Sequence, residues 1–336
     1  MLRRTDTDRI LLAHGGGGSL TRDLIRDLLL PLLGSEQPEL ADSSPVPGHE
    51  DIHLTIDAFV VKPLFFPGGD IGSLAIHGTL NDLAVSGAKP LAVAVSLIAE
   101  EGFEVDALKR VLRSAGEAAR GCDVRIITGD TKVVARGDAD GLFVITGGVG
   151  AVVRRVLPSG GREGDAILLS GSIGEHGVAV MSAREGIAFE TSVESDSASV
   201  WPLVEALLRG GVEIRAMRDP TRGGVAACCN ELADSSGVSI VLDEKAIPVK
   251  AGVAAACEML GLDPLTVANE GKVLFFVPER DAGRAVDLLR SLPTGHSAAV
   301  IGRAVSRRDH AVYLTTRYGG ERIVEMPYGE ELPRIC

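Results

Sequence analysis

The run His14-Gly15-Gly16-Gly17-Gly18-Ser19 stands directly before an amphipathic stretch. Consecutive glycines allow several backbone N–H groups to turn toward one anion, and the N-terminus of a following helix adds partial positive charge. Taken by itself a glycine run reads equally as a flexible loop. It is not a Walker A loop, because GxxxxGK[ST] occurs nowhere, and the GxGxxG dinucleotide spacing fails at Thr21. Four acids stand beside structural breaks: Asp57 in LTIDAF, Asp70 in PGGDIG, Asp82 after Asn81 in GTLNDLAVSG, and Asp130 in TGDTK. Hard oxygen ligands at such places suit Mg2+ on a polyphosphate, with waters completing the shell. Each acid alone also fits a cap or a solvated turn; four in one half of the chain, beside a glycine loop, point toward the metal. Lys132 in TGDTK has the charge to steady a γ-phosphate, although without further context an exposed surface lysine is the commoner reading.

In the second half, Asp219-Pro220-Thr221-Arg222-Gly223-Gly224 places an acid, a hydroxyl, an arginine and two glycines at a helix entrance suited to an anion. An ordinary N-cap by Asp219 or Thr221 explains part of it. Asn269-Glu270-Gly271-Lys272 precedes VLFFVP, which sets Glu270 at a strand mouth where a general base can be held. His14, His77 and His176 adjoin glycines without metal-ligand spacing and read first as hydrogen-bonding residues. The final segment, GEELPRIC, has no predicted regular structure and ends in Cys336. Extended from Gly329 it reaches roughly 25 Å. It is not a CaaX box. From its surroundings alone Cys336 is an incidental thiol on a frayed end: its carboxylate disfavours thiolate and Arg334 favours it.

These residues need elements to hold them. ILLA reads as a short extended piece, and LTRDLIRDLLLPLL as a helix. Residues 34–50 read as a surface loop, DIHLTIDAFVV as a half-buried strand, and KPLFFPGGDIG as a breaker-rich loop. SLAIHGTLNDLAVSGA is a predicted helix and LAVAVSLIAE a buried strand. A helix over about 104–120, the strand VRIITGD and a strand pair within LFVITGGVGAVV follow. Breakers in LPSGGREGD mark a domain boundary near 157–165. Beyond it the pattern gives strands at DAILLSG, SIVLD, VLFFVP, AAVIGRAV and VYLTTR. Helices fall near 173–185, 196–209, 224–235, 251–260 and 280–291, and a hairpin runs through Tyr318-Gly319-Gly320. Strands and helices mix in both halves, which indicates two domains of α/β or α+β class.

Composition narrows the function. The 336 residues are 45 % hydrophobic and 24 % charged, enough for a real core, with aromatics at only 4 %. A net charge of −12 without a basic cluster argues against a nucleic-acid surface. No stretch approaches the roughly 20 apolar residues of a membrane span, and no signal peptide is evident. Five cysteines without CxxC spacing read as reduced cytoplasmic thiols rather than a disulfide or zinc framework.

In order along the chain, AHGGGG, KPLFFPGGDIG, NDLAVSGA, TGDTKVV, DPTRGGV, ANEGK and the terminal PRIC resemble one family: hydrogenase maturation factors of the HypE type. These are carbamoyl dehydratases related to aminoimidazole ribonucleotide synthetase. The resemblance covers essentially the whole chain, and PRIC after the other motifs is its most specific part. It implies an N-terminal ATP-binding α/β domain (1–156) whose sheet pairs across a homodimer. A C-terminal α+β domain (157–328) and a flexible tail (329–336) complete the two-domain aminoimidazole ribonucleotide synthetase-like fold. It implies a carbamoyltransferase partner of HypF type that loads Cys336, ATP-dependent dehydration of the thiocarboxamide to a thiocyanate, and a scaffold complex of HypC–HypD type. That scaffold receives the cyanide for the iron centre of [NiFe]-hydrogenase. By the same resemblance Asp57, Asp82 and Asp130 hold Mg2+ on the polyphosphate of ATP. His14, Gly15, Gly16, Gly17, Gly18, Asn81, Thr128, Gly129, Asp219, Thr221, Arg222, Gly223 and Gly224 lie around the nucleotide, with Glu270 as base and Lys132 stabilising the oxygen side. Other ATP-using members of the fold are rivals. Selenophosphate synthetase would want a reactive cysteine in the N-terminal glycine region, where this chain has none before Cys122. Thiamine monophosphate kinase would leave PRIC unexplained. A non-catalytic scaffold would not need the stacked acids and glycines, and a nicotinamide dehydrogenase fails on its fingerprint.

Overall fold

The alternation in DIHLTIDAF becomes the strand His49–Phe59, with His53, Thr55 and Phe59 buried and Asp57 half-buried between them. A computed structural model describes residues 10–16, 18–33, 41–186, 193–329 and 334–336. Among these the first sheet runs, in spatial order, Ser44–Val46, His49–Phe59, Leu142–Val152, Ala88–Glu100 and Arg125–Val134. Its pairings are antiparallel except the last, which is parallel. The helices Ile71–Val85 and Val105–Gly121 lie on one face. Asp70 starts the first of them, accepting the Gly72 amide at 2.7 Å and the Ser73 amide at 3.2 Å. Among the described residues nothing covers the other face or the outer edge: Leu54, Ile56 and Leu91 are exposed there, as are Ile126, Ile127 and Val133 on the edge strand.

LFVITGGVGAVV is one strand of 11 residues, Leu142–Val152, not a strand pair. Its glycines do not turn the chain; they let the covering helix and the neighbouring strand come close. A Cβ on Gly148 would sit 2.7 Å from Thr79 Cγ2, and one on Gly150 3.0 Å from the Lys89 carbonyl. Two further segments differ from their sequence pattern. The breaker-rich KPLFFPGGDIG holds a small hairpin, Phe65–Phe66 with Gly69–Asp70, and part of the expected surface loop is strand Ser44–Val46. Residues 34–40 of that loop lie outside the described residues. The piece read as extended is a 3-10 turn, Leu12–Gly15, and the following helix widens into a π turn at Ile25–Leu29.

The second sheet runs Glu321–Ile323, Val312–Thr315, Ser239–Asp243, Ala299–Val305, Asp165–Leu169, Leu274–Pro278 and Ala216–Arg218. Asp165–Leu169 and Leu274–Pro278 are buried along their whole length because helices cover both faces. That is why they read as unbroken apolar runs rather than alternating ones. Gly224–Ser236 packs Val225, Cys229 and Leu232 on one face, against Ile167, Ile240 and Phe276. On the opposite face Leu203 and Leu207 of Trp201–Arg209, with Ala285 and Leu289 of Glu279–Arg290, cover Leu168, Phe275 and Val277. The two halves share a core: Phe59, Ile71 and Leu74 from the first pack in one cluster with Val253 and Val267 from the second. A cavity opens between them.

Candidate active site

That cavity, of about 400 Å³, is lined by Asp42, Thr55, Asp57 and Asp82 from the first half, Arg218, Asp219, Thr221, Arg222, Glu231 and Glu270 from the second, and Cys336. Asp57 reaches it because it stands two residues after Thr55 on the same strand face. Asp82 comes from the helix Ile71–Val85, and Asp219 follows the strand Ala216–Arg218. Carboxylate oxygens of Asp42, Asp82 and Asp219 all lie within 4.8 Å of one another. So many acids in one buried place repel. Burial, then Asp219, Asp57 and Asp42, push the Asp82 carboxyl well above the usual range. Asp219 is raised to about 7 by burial and then by Asp42, and Asp57 is raised by burial against the pull of Arg222. Thr55 Oγ lies 2.8 Å from Asp82 Oδ2 and 2.9 Å from the Asp42 carbonyl, with one hydroxyl proton for the two. Behind the cluster Arg218 pairs with Asp42 at 2.9 Å and Glu231 at 3.1 Å. Its burial opposes the charge, and Asp42 and Glu231 outweigh that, so the guanidinium is held firmly protonated.

A trio of carboxylates, Asp219 buried and Asp42 and Asp82 half-buried, whose negative charge is only partly answered by protein is the donor set a hard divalent cation takes. The residues present therefore fit Mg2+, through Asp42, Asp82 and Asp219, with Asp57 on the same wall. Asp42 is absent from the sequence-based set. In the sequence it follows Glu36, Glu39 and other polar residues, and no local pattern singles it out. Asp130 stands elsewhere: it is exposed on the edge strand Arg125–Val134, with its Oδ2 2.6 Å from Lys132 Nζ. Thr128 and Gly129 share that exposed strand, so this group lies outside the cavity of its own chain.

Glu270 is 3 % exposed and its Oε1 has no hydrogen-bond partner within the described structure. Burial, then Asp219, Asp196 and Asp57, push its carboxyl well up. Its backbone is held firmly: Asn81 Nδ2 donates to the Glu270 carbonyl at 3.1 Å, and the Glu270 amide donates to Asp196 Oδ1 at 3.1 Å. Asn81 thus supports Glu270 rather than lining the cavity. At the mouth, Gly223 (φ +75°) and Gly224 (φ +61°) turn into the helix Gly224–Ser236; a Cβ on Gly224 would meet the Leu265 carbonyl at 2.5 Å. Arg222 Nη1 donates to the Gly15 carbonyl at 2.8 Å, which brings the N-terminal glycines to this mouth. His14 Nδ1 accepts the Leu11 amide at 3.0 Å. Gly16 and Gly18 are buried, and Gly17 lies outside the described residues.

Cys336 reaches the cavity through a docked segment. The Val60 amide donates to the Cys336 carbonyl at 3.1 Å and the Lys62 amide to the Arg334 carbonyl at 3.2 Å, as an added strand would. Arg334 Nε donates to the Val60 carbonyl at 2.9 Å and pairs with Asp140. Ile335 between them is 2 % exposed. No local pattern shows this seat; it is assembled from residues near 60, 140 and 184. All five cysteines are thiols rather than disulfides.

Residues 41–152 match the family of AIR synthase related proteins, N-terminal domain, and residues 162–315 its C-terminal domain. The carbamoyl dehydratase HypE of Bradyrhizobium diazoefficiens is 51 % identical over 97 % of this chain and 95 % of its own. The solved HypE–HypF complex has a chain 43 % identical, with TM-score 0.86, covering 90 % of this chain and 99 % of that one. HypE solved in complex with ATP is 42 % identical with TM-score 0.83, covering 98 % of this chain and 100 % of that chain.

Proposed function

Because the chain belongs to the AIR synthase related family and, within it, to the HypE carbamoyl dehydratases, we propose that it dehydrates a carbamoyl group on Cys336 at the expense of ATP, in hydrogenase maturation. The observation that carries this reading is that Cys336, Glu270 and the aspartate cluster line one cavity. A kinase for a diffusing substrate has no use for a thiol seated there.

The chemistry explains the parts. In Cys336–S–C(O)NH2 the carbonyl oxygen is a very poor leaving group. Attack of that oxygen on the γ-phosphorus of ATP releases ADP and makes the oxygen a phosphate ester, while one N–H proton leaves. Departure of phosphate with that oxygen and loss of the second N–H proton leave Cys336–S–C≡N. Catalysis is then positioning, charge neutralisation and proton removal. Glu270 is the base, held by its backbone and with one buried oxygen unengaged. Burial and then the acids around it hold that carboxyl up, and a cation answering those acids would leave more of it ionised, and so able to accept a proton, at neutral pH. Asp42, Asp82 and Asp219 would hold Mg2+, which when bound neutralises polyphosphate charge. Gly15, held by Arg222, forms the anion-facing mouth with Thr221 and Arg222.

Partners follow from the same premise. A HypF-type carbamoyltransferase loads Cys336, as the HypE–HypF complex of a relative supports. A HypC–HypD-type scaffold takes the cyano group by attacking its carbon with an electron pair of the scaffold's own; the S–C bond breaks with its pair on sulfur, and Cys336 is left as a thiolate. A homodimer is supported by the uncovered apolar face and exposed edge of the first sheet. It would give Lys132 and Asp130 a place at the second copy's cavity. Work in a reducing cytoplasm fits five cysteines kept as thiols.

The test is intact mass of the protein after loading with the carbamoyl donor enzyme and then ATP. Loss of one water mass from the carbamoylated protein is expected, and Glu270→Gln should stall as the thiocarboxamide. Full conversion to thiocyanate by Glu270→Gln would remove Glu270 as the base. Carbamoylation that persists in Cys336→Ala would sink the carrier role.

A further inference from the structure

Residues 193–200 (VESDSASV) form neither helix nor strand, yet they are tied in two directions. Toward the base, Asp196 Oδ1 accepts the Glu270 amide, and the Ala198 amide donates to the Glu270 carbonyl at 3.4 Å. Asp196 Oδ2 is anchored by Lys272 Nζ at 2.9 Å, in a pair whose side chains are 4 % and 9 % exposed. Toward the thiol, Ser195 Oγ lies 2.8 Å from His176 Nδ1, and His176 Nε2 lies 2.8 Å from the Ile335 carbonyl.

The direction of this relay is settled by chemistry. A carbonyl only accepts, so Nε2 carries the proton. Nδ1 is then an acceptor and the Ser195 hydroxyl its donor. Ser195 Oγ in turn accepts the Ser197 amide at 3.1 Å. The ring must be neutral for this, as its burial favours. Phe66 meets it edge-on at 5.5 Å between centroids, and the Ser195 amide donates to the Pro67 carbonyl at 2.8 Å, which fixes the ring and strap together.

We propose that the strap 193–200 is the positioning device of the reaction, holding the main chain of Glu270 and, through Ser195 and His176, the carbonyl one residue before Cys336. Base and sulfur anchor are thereby set from one piece of backbone. None of Ser195, Asp196 and His176 lines the cavity, so they are positioning residues. The inference rests on the dehydration reading above. It matters because a tethered substrate gains its rate from alignment, and a misplacement of about 1 Å costs on the order of 10²-fold.

The experiment uses full-length protein carbamoylated on Cys336 and mixed with saturating Mg·ATP, with water loss followed by mass in a single turnover. His176→Ala should slow that step by on the order of 10²-fold with ATP affinity unchanged. His176→Gln keeps an N–H donor for the Ile335 carbonyl and should recover most of the rate; Ser195→Ala should fall between. In parallel, alkylation of unmodified Cys336 by N-ethylmaleimide should quicken severalfold in His176→Ala and not in His176→Gln. A His176→Ala rate within about twofold of the parent, or His176→Gln as slow as His176→Ala, overturns the proposal. Should His176→Ala not fold, Ser195→Ala decides, and parent-like behaviour in both assays overturns it. The alkylation assay needs no dehydration. A parent that never loses water while alkylation responds to His176→Ala therefore condemns the functional reading and not the positioning.

Discussion

At the scale of single residues the site is a set of carboxyls that the fold forces together. Asp219 shows the consequence. In an unfolded chain its carboxyl titrates near the ordinary aspartate value of about 3.9; in the fold burial and Asp42 raise it to about 7. The folded state therefore favours the protonated form. Its contribution is fully present below about pH 4 and is lost as pH rises through about 7. Asp219→Asn removes that loss. Without metal, the variant should be more stable than the parent by a margin that widens between about pH 4 and pH 7 and then levels. Added Mg2+ should stabilise the parent more than the variant. Urea denaturation across this range, in EDTA and in Mg2+, measures both. A margin that shrinks with rising pH would mean that the acids do not oppose one another.

At the scale of elements, close approaches of backbone explain several glycines that sequence reading assigned to turns or anion loops. Gly18 lies against the segment that leads to the last residues: the Ser19 amide donates to the Pro327 carbonyl at 3.1 Å, and a Cβ on Gly18 would stand 2.2 Å from that oxygen. Gly15, three residues earlier, has nothing within 4 Å of its Cβ position. Neither is in the left-handed region. Gly18→Ala should thus cost about 1–3 kcal/mol of stability through overpacking, whereas Gly15→Ala should cost almost none, both measured without nucleotide. Equal losses in the two variants would show that the glycine run is restrained by something other than this contact.

At the scale of the whole molecule, the first sheet has helices on one face only among the described residues. The bare face, with its exposed edge strand, is costly to leave in water, and an unpaired edge invites another strand. In the proposed dimer Lys132 serves the cavity of the second copy, which separates it from Glu270 in a way that mixing can read. Lys132→Ala and Glu270→Gln subunits are each expected to be inactive alone. Mixed and allowed to exchange, they should regain about a quarter of parental activity, because half the dimers are mixed and each has one intact site. No recovery despite exchange would mean that Lys132 acts within its own chain.

Local pattern was enough for most elements. The helix bearing Asn81 and Asp82, the strand bearing Asp57 and the helix opened by Gly223 and Gly224 are all legible, because periodicity and breakers act over a few residues. So was the family, through motifs spread along the whole chain. What only tertiary structure decided was which of these residues share a space. It joined Asp42 to Asp82 and Asp219, put Asp130 on an outer edge, set Asn81 beneath Glu270, and seated Cys336 against Val60. The physical reason is common to all four: a charge or thiol takes its character from neighbours distant in the chain, and no local spacing records them.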